Sequence, residues 1–228
     1  MPHNFLVFFA IIAVSILAGE NTSGSTITVC SSGCDYTSIN MAIDAANDGD
    51  VIQLLAETYT EGAVIDTDGK AITILGATDK RGASASILDG DGSHRVLRCG
   101  SGEGAGTVFK DLVIRGGFNS DVGGGMYNYS SSPTLINCTF TNNSAEYGGG
   151  IINYFGSNPT LTGCTFKGNA ASVGGGVYNY HLSAPLLEGC TFTDNSSDLA
   201  GGGMFNYDSS PSLVGCGFTG NHASEYGG

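Results

Sequence analysis

The sequence has no tryptophan, a single glutamine, five prolines and only eight lysines and arginines among its 228 residues. Against 21 acidic residues the eight basic ones leave a formal net charge of −13. That balance argues against nucleic acid or an anionic membrane surface as a partner. Proline is scarce and no Gly-X-Y period runs through the chain, so the 37 glycines are not those of a collagen. A hydrophobic content of 41% argues against disorder. Beyond residue 18 no apolar run is long enough to span a bilayer.

The one long apolar run is Phe5 to Ala18, 14 residues followed by the polar stretch Gly19 to Ser25. It falls short of the ~20 residues a membrane-spanning helix needs. Its place and its polar flank predict a secretory signal peptide over residues 1–18, cleaved after Ala18 or Gly19. The leading MPHN carries no lysine or arginine, and an uncleaved anchor is the alternative. Either reading places the rest of the chain outside the cytosol, extracellular or at the cell surface.

The second half repeats. Cys138, Cys164, Cys190 and Cys216 are each 26 residues apart, and so are Pro133, Pro159, Pro185 and Pro211. Phe140, Phe166, Phe192 and Phe218 keep the same period, as do Asn143, Asn169, Asn195 and Asn221. Glycine triplets at 123–125, 148–150, 174–176 and 201–203 follow with a drift of one residue. One unit reads GGGMYNYSSSPTLINCTFTNNSAEY. It has no helical pattern, only short β-prone pieces such as MYNY and TLINCTFT between turn formers. One such unit cannot bury an apolar face alone, whereas stacked copies can. A 26-residue turn with two or three short strands predicts an all-β parallel β-helix. Propeller blades need ~40 residues or more, and a sandwich has no reason to keep a period.

Strand alternation then assigns faces. Cys138 and Phe140 share one face, Thr139 and Thr141 the other, so cysteines and phenylalanines stack inside. Asn143 and its copies sit at the bend as a side-chain amide ladder. The triplets turn where a Cβ would clash or φ must be positive.

Residues 19–122 lack the strict period but keep the texture, with β-prone runs VIQLL, AITILG, SILDG, HRVLRC and TVFKDLVIRGG divided by DTDGK and DGDGS. Before them, Ile39, Ala42, Ile43 and Ala46 fall on one helical face. Thr37 or Ser38 caps the start and Gly49 the end. A short helix there is a lid for the open apolar end of the solenoid. The division is thus signal peptide 1–18, cap and irregular coils 19–122, and regular coils 123–228 of the same solenoid. The chain stops at SEYGG, inside the motif that reads AEYGGGI at 145–151, so further coils are expected beyond it.

DYTSINMAIDAANDGDVIQLLAETYTEG, followed by AITILGA, resembles the opening of pectin-lyase-like right-handed β-helix proteins. The GGGMYNY…PTLINCTFTNNSA units are similar to right-handed β-helix repeats of bacterial and algal surface proteins. They are also similar to the GGA[ILV] and FxxN repeats of polymorphic outer-membrane proteins, matched here by GGGM, GGGI and GGGV and by FTNN, FKGN, FTDN and FTGN. This sequence has GGG in place of GGA. The resemblance covers residues 26–228 and implies a right-handed parallel β-helix.

Fold does not fix function, so the chemistry has to be sought directly. A lyase of this fold would need an arginine or lysine base beside carboxylates that hold Ca²⁺. Residues 123–228 contain no arginine and one lysine, Lys167. A glycosidase would need two neighbouring carboxylates, and Glu146, Glu188, Asp194, Asp198 and Asp208 do not recur as a close pair. The Gln-, Trp-, paired-Asp- and His-rich motifs of pectinesterases and polygalacturonases are missing, so no catalytic residue is assigned. One polar cluster remains: Asp89, Asp91, His94, Arg95, Arg98, Asp111 and Arg115. It reads either as a lyase-like site, with Ca²⁺ on Asp89 and Asp91 and Arg98 or Arg115 as base, or as a solvated turn with outward strand charges, LDGDGS being ordinary turn chemistry.

Two outward stripes are binding candidates. Tyr129, Tyr154, Tyr180 and Tyr207 recur in NY, with Tyr127, Tyr178 and Phe205 two residues earlier. With Met126, Ile151, Val177 and Met204 inward, these rings face out and stack coil on coil, where they pack against sugar faces or another protein. The alternative is that they stack on one another or lie under a turn. A threonine stripe at 139, 165, 191 and 141, 193, 219 resembles ice-binding solenoids, but Lys167 and Gly217 interrupt it.

Seven cysteines are an odd number. Cys30 and Cys34 pair as a disulfide in an oxidising compartment. The ladder cysteines are read as buried free thiols, and Cys99 as unpaired. Sequons stand at Asn21, Asn128, Asn137, Asn142 and Asn195. Together these features predict a secreted or cell-surface module that is adhesive or carbohydrate-binding and not catalytic. Its expected partner is a polysaccharide, a surface glycan or another surface protein. A polysaccharide lyase or hydrolase, and a purely structural spacer, are the competing readings.

Overall fold

The computed structural model describes residues 24–228; the signal-peptide reading and the Asn21 sequon lie outside them. The chain winds as an all-β parallel solenoid with one helix near its start. An eight-stranded sheet runs its length from Thr26–Val29 to Ser212–Val214. A seven-stranded sheet ends in Gly217–Thr219 and carries the phenylalanines; a six-stranded sheet ends in Met204–Tyr207 and carries the tyrosines. A five-stranded sheet, here the flap, begins only at Phe118–Val122. No helix among the described residues is long and apolar enough to cross a membrane.

Each regular coil therefore has four strands, where the sequence suggested two or three. Thr134–Ile136, Thr139–Thr141, Ser144–Tyr147 and Ile151–Tyr154 make one coil. TLINCTFT is not one strand because Asn137 has φ +52°, and Asn142 turns the next corner at φ +53°. This left-handed conformation is tolerated by asparagine and natural to glycine. The copies of Asn137 are accordingly Gly163, Gly189 and Gly215, all at positive φ.

Pairing follows the period. Leu135 faces Leu161, and Phe166 faces both Phe140 and Phe192. The rings of Phe140, Phe166, Phe192 and Phe218 stack with centroids 5.2, 4.7 and 4.5 Å apart. Cys138, Cys164 and Cys190 are fully buried beside them as free thiols, and Cys216 is half-buried in the last coil. Each thiol points at a carbonyl of the preceding coil, Cys138 at Phe109 O (3.4 Å). Cys30 and Cys34 form the expected disulfide, with Cα atoms 5.6 Å apart.

The asparagine ladder forms as expected. Asn143 Nδ2 donates to Asn169 Oδ1 (3.0 Å) and to the Ile114 carbonyl (3.0 Å), and its backbone N–H donates to the same Asn169 oxygen (3.1 Å). Asn169 repeats this on Asn195, and Asn195 on Asn221. A second ladder was not anticipated. Asn128, Asn153, Asn179 and Asn206 point inward from the tyrosine sheet, each Nδ2 donating to the next Oδ1 at 2.9, 2.8 and 2.7 Å. A third, of serine, joins the backbone N–H groups of Ser131, Ser157 and Ser183 to the hydroxyls of Ser157, Ser183 and Ser209, each at 3.2 Å.

The N-terminal lid is the helix Ile39–Ala45, with Ile39, Ala42 and Ile43 buried. Ser38 caps it, its Oγ accepting from Met41 N (3.3 Å), while Glu61 accepts from Ile39 N (2.8 Å). The helix ends at Ala45, before Gly49. Lys70 Nζ takes the role expected of a C-terminal cap by donating to the carbonyls of Ile43, Asp44 and Ala46 at 2.6 to 3.0 Å. The irregular and regular coils are paired directly, Val108–Lys110 against Thr134–Ile136.

The ladders make a graded prediction. Asn179→Ala breaks two hydrogen bonds, leaving the buried Nδ2 of Asn153 without its acceptor and the more exposed Oδ1 of Asn206 without its donor. Asn128→Ala removes one hydrogen bond only, because Asn128 Oδ1 has no partner among the described residues. Urea unfolding is expected to show a loss of about 2 kcal/mol or more for Asn179→Ala, and about 1 kcal/mol or less for Asn128→Ala. Equal losses would show that the chain of amides is not what matters at these positions.

Candidate functional site

The site arises where the flap meets the tyrosine sheet. The chain leaves the core after Asn143, runs out along Ser144–Tyr147 and returns through the glycine triplet to Ile151. The triplet must be glycine for steric reasons. A Cβ on Gly125 would lie 2.9 Å from the Phe140 ring and 2.5 Å from Gly150 O, and Gly123 has φ +61°. The chain therefore doubles back at a narrow waist, and the outer face of the tyrosine sheet faces the flap.

This corrects one expectation. Met126 and Asn128 do point inward, and Tyr127 and Tyr129 do point away from the core. The column Tyr127, Ile152, Tyr178 and Phe205 is nevertheless not an exposed stripe. It packs against the flap residues Val122, Tyr147, Val173 and Ala200 as a second apolar cluster, with Tyr178 only 7% exposed. The flap residues went unnoticed in the sequence, although each immediately precedes a glycine triplet and each is apolar or aromatic. Together they leave a groove of about 320 Å³ lined by Asp121, Val122, Tyr127, Tyr147, Ile152, Tyr154, Tyr178 and Tyr180. Burial raises the phenol pKa values of Tyr127 and Tyr154, and that of Tyr178 to about 12.

The second column, Tyr129, Tyr154, Tyr180 and Tyr207, forms the rim. Tyr154 and Tyr180 stack at 4.9 Å and 13°, Tyr180 and Tyr207 at 5.2 Å and 12°. Tyr129 joins in a tilted contact at 6.1 Å. Ring faces inside the column are thus taken by neighbouring rings. What the column presents is a row of ring edges and hydroxyls, with more open rings at its ends, Tyr129 at 41% and Tyr207 at 54% exposure. Phe155, also missed in the sequence, stands edge-on against Tyr154 at 4.4 Å from a turn at φ +51°.

The polar cluster of the irregular coils does not converge on one point. Arg98 Nη1 pairs with Asp66 Oδ2 at 2.6 Å on the tyrosine sheet. Arg115 Nε pairs with Asp89 Oδ2 at 2.8 Å on the phenylalanine sheet. The hydrogen bond to Asp66 raises the Arg98 pKa above its usual value, the opposite of what a base requires. Burial pushes the Asp89 carboxyl up, but the Asp91 N–H and Arg115 outweigh it and hold the pKa below the usual range. Asp91 is exposed, and Asp111 accepts from Asn137 Nδ2 at 3.1 Å. No group of three or more His, Cys, Asp or Glu residues among the described residues is placed to hold a metal.

Arg95 lies over the Tyr127 ring, 4.7 Å from its centroid, and donates to the Gly123 and Val122 carbonyls. Farther along the chain such carbonyls are met by the N–H groups of the coil before, as Tyr147 O is by Gly123 N. Arg95 thus finishes the first triplet, which has no triplet before it. His94 Nδ1 lies 2.8 Å from Arg95 O. Of the sequons, Asn128 and Asn195 are buried in ladders and cannot carry a glycan in the folded chain, whereas Asn137 and Asn142 are exposed at corners.

The chain matches the family described as "Right handed beta helix region" over residues 62–227, which agrees with the expected handedness. No curated protein matches. Among solved structures it is similar to a pectin methylesterase from Aspergillus niger in penultimately deglycosylated form. The identity is 13%, covering 89% of this chain and 86% of that one, with a TM-score of 0.49. The deglycosylated form of the same enzyme gives 12% identity, the same coverage and a TM-score of 0.46.

Glu103 is a buried carboxylate that the sequence did not single out. It accepts from Thr67 Oγ1, the Gly69 and Ser101 N–H groups and Ser131 Oγ at 2.8 to 3.0 Å, closing the serine ladder at its first rung. Burial pushes its pKa up, but the hydrogen bonds from Ser101, Gly69 and Ser131 outweigh burial and hold it below the ordinary glutamate value. A carboxyl lowered on folding stabilises above its unfolded pKa, about 4.3, and that contribution is lost as pH falls through the folded value. Glu103→Gln is therefore expected to cost about 1–3 kcal/mol at pH 7. The gap from the unmodified protein should narrow below pH ~4; a gap unchanged with pH would show that the charge plays no part.

Proposed function

We propose that this chain, which belongs to the right-handed β-helix family, is a secreted or cell-surface module that binds a polysaccharide or surface glycan without catalysis. The observation that supports this most is the groove between flap and tyrosine sheet. It spans three coils in the direction of stacking, is amphipathic, and is edged by the stacked rings of Tyr154 and Tyr180. Such a surface is pre-organised, so a polymer laid along it immobilises few protein side chains. Tyrosine suits the task because it offers contact area and a hydroxyl at little conformational cost. The polar cluster favours the same reading over a lyase, since both candidate bases, Arg98 and Arg115, are held in ion pairs on separate sheets.

Affinity electrophoresis against a panel of soluble plant and algal polysaccharides tests the reading. At least one polymer is expected to retard the protein. The double variant Tyr154→Ala/Tyr180→Ala should lose that retardation while keeping the β circular-dichroism signal. Incubation with the same polymers should release neither reducing ends, nor methanol, nor unsaturated products. Turnover that Arg98→Ala or Arg115→Ala abolishes would overturn the non-catalytic reading.

A further inference from the structure

We infer that the groove takes an uncharged, hydroxyl-rich glycan chain and rejects acidic polysaccharides; this rests on the binding reading above and names its ligand class. The first support is the placement of positive charge. All eight lysines and arginines lie among the described residues, and none of them lines the groove. Arg95, which approaches it, donates from Nε and Nη2 to the Gly123 and Val122 carbonyls and lays its guanidinium over Tyr127. Arg98 and Arg115 are paired with aspartates, and Lys70 closes the helix. Lys167, the one cation of the regular coils, is on the phenylalanine sheet, the other side of the glycine waist. The charged side chain that does line the groove is a carboxylate, Asp121. A polyuronate laid there would meet the like charge of Asp121, and the two cations that border Tyr127 are already engaged, Arg95 with that ring and with Asp121 and Arg98 with Asp66, in a chain of net charge −13.

The second support is independent of charge. The phenol oxygens of Tyr127, Tyr147, Tyr154, Tyr178 and Tyr180 make no hydrogen bond to any described residue, although Tyr59, outside the groove, makes three. Five unengaged hydroxyls around an apolar floor of Val122 and Ile152 are each able to donate and accept. That matches a ligand which also carries hydroxyls, and whose ring C–H faces cover the apolar floor.

The test uses the full chain with two sets of probes. Galactomannan, xyloglucan and hydroxyethylcellulose are the neutral set; polygalacturonate and alginate are the acidic set, each measured at low and high salt. A neutral polymer is expected to bind with an affinity insensitive to salt. Tyr154→Phe/Tyr180→Phe, which keeps both rings and their stack, should weaken it about tenfold or more through the loss of two hydrogen bonds. Acidic polymers are expected not to bind. Binding of an acidic polymer that weakens as salt rises would overturn the inference and leave the glycan-binding reading standing. So would neutral binding that the two phenylalanines leave unchanged. Failure of every polymer in both sets, with the fold intact, would overturn both.

Discussion

In the regular coils each residue lies against its own copy one coil away, and this in-register stacking is the constraint on which the rest depends. A side chain in such a column must tolerate itself as a neighbour. Charged groups do not, since like charges at the ~4.8 Å spacing of strands repel. Phenylalanine does, by stacking, and leucine does, by packing. A polar group can be buried only if it is donor and acceptor at once, so that one copy satisfies the next. Asparagine and serine meet that condition, and they fill the three polar ladders. A carboxylate does not meet it, and Glu103 is buried where a ladder begins, against a serine rather than another glutamate.

The same constraint decides what could be read from the sequence. A column whose residue type never changes announces itself, as Cys138, Phe140 and Asn143 did with their copies. The second amide ladder drifts with steps of 25, 26 and 27 residues, and its asparagines sit beside the aromatics of MYNY and VYNY, whose recurrence is the stronger signal. The fourth strand gave no local sign. Ser144, Ala145 and Glu146 have little strand preference, and they are extended because their copies pair with them. Alternation placed Tyr127 and Tyr178 correctly outside their own sheet. It could not tell that a neighbouring sheet covers that outside, because the covering follows from the doubling back at the triplets. The helix end was misjudged because its carbonyls are met by Lys70, a residue distant in sequence.

Function was less legible than fold, and for a physical reason. The arginines Arg98 and Arg115 are held in ion pairs on separate sheets, and the family's fold alone carries no activity. The useful information is the shape of one concave surface. One wall is held by the stacked rings of Tyr154, Tyr180 and Tyr207, and its chemistry is that of neutral phenol hydroxyls. That surface needed both sheets to be placed, and no single motif encodes it.

The drift of the glycine triplets has its own consequence. From Met126 to Ile151 the step is 25 residues and from Val177 to Met204 it is 27, while Phe140, Phe166 and Phe192 keep to 26. The difference enters in the flap, where the strand register shifts, and is made good in the turn after the tyrosine strand, so that the serine ladder is again at 26. One wall of the groove can thus gain or lose a residue while every core column stays aligned. The solenoid separates an invariant spine from an editable margin, and the contour of the groove can diverge among such chains without any renegotiation of the core.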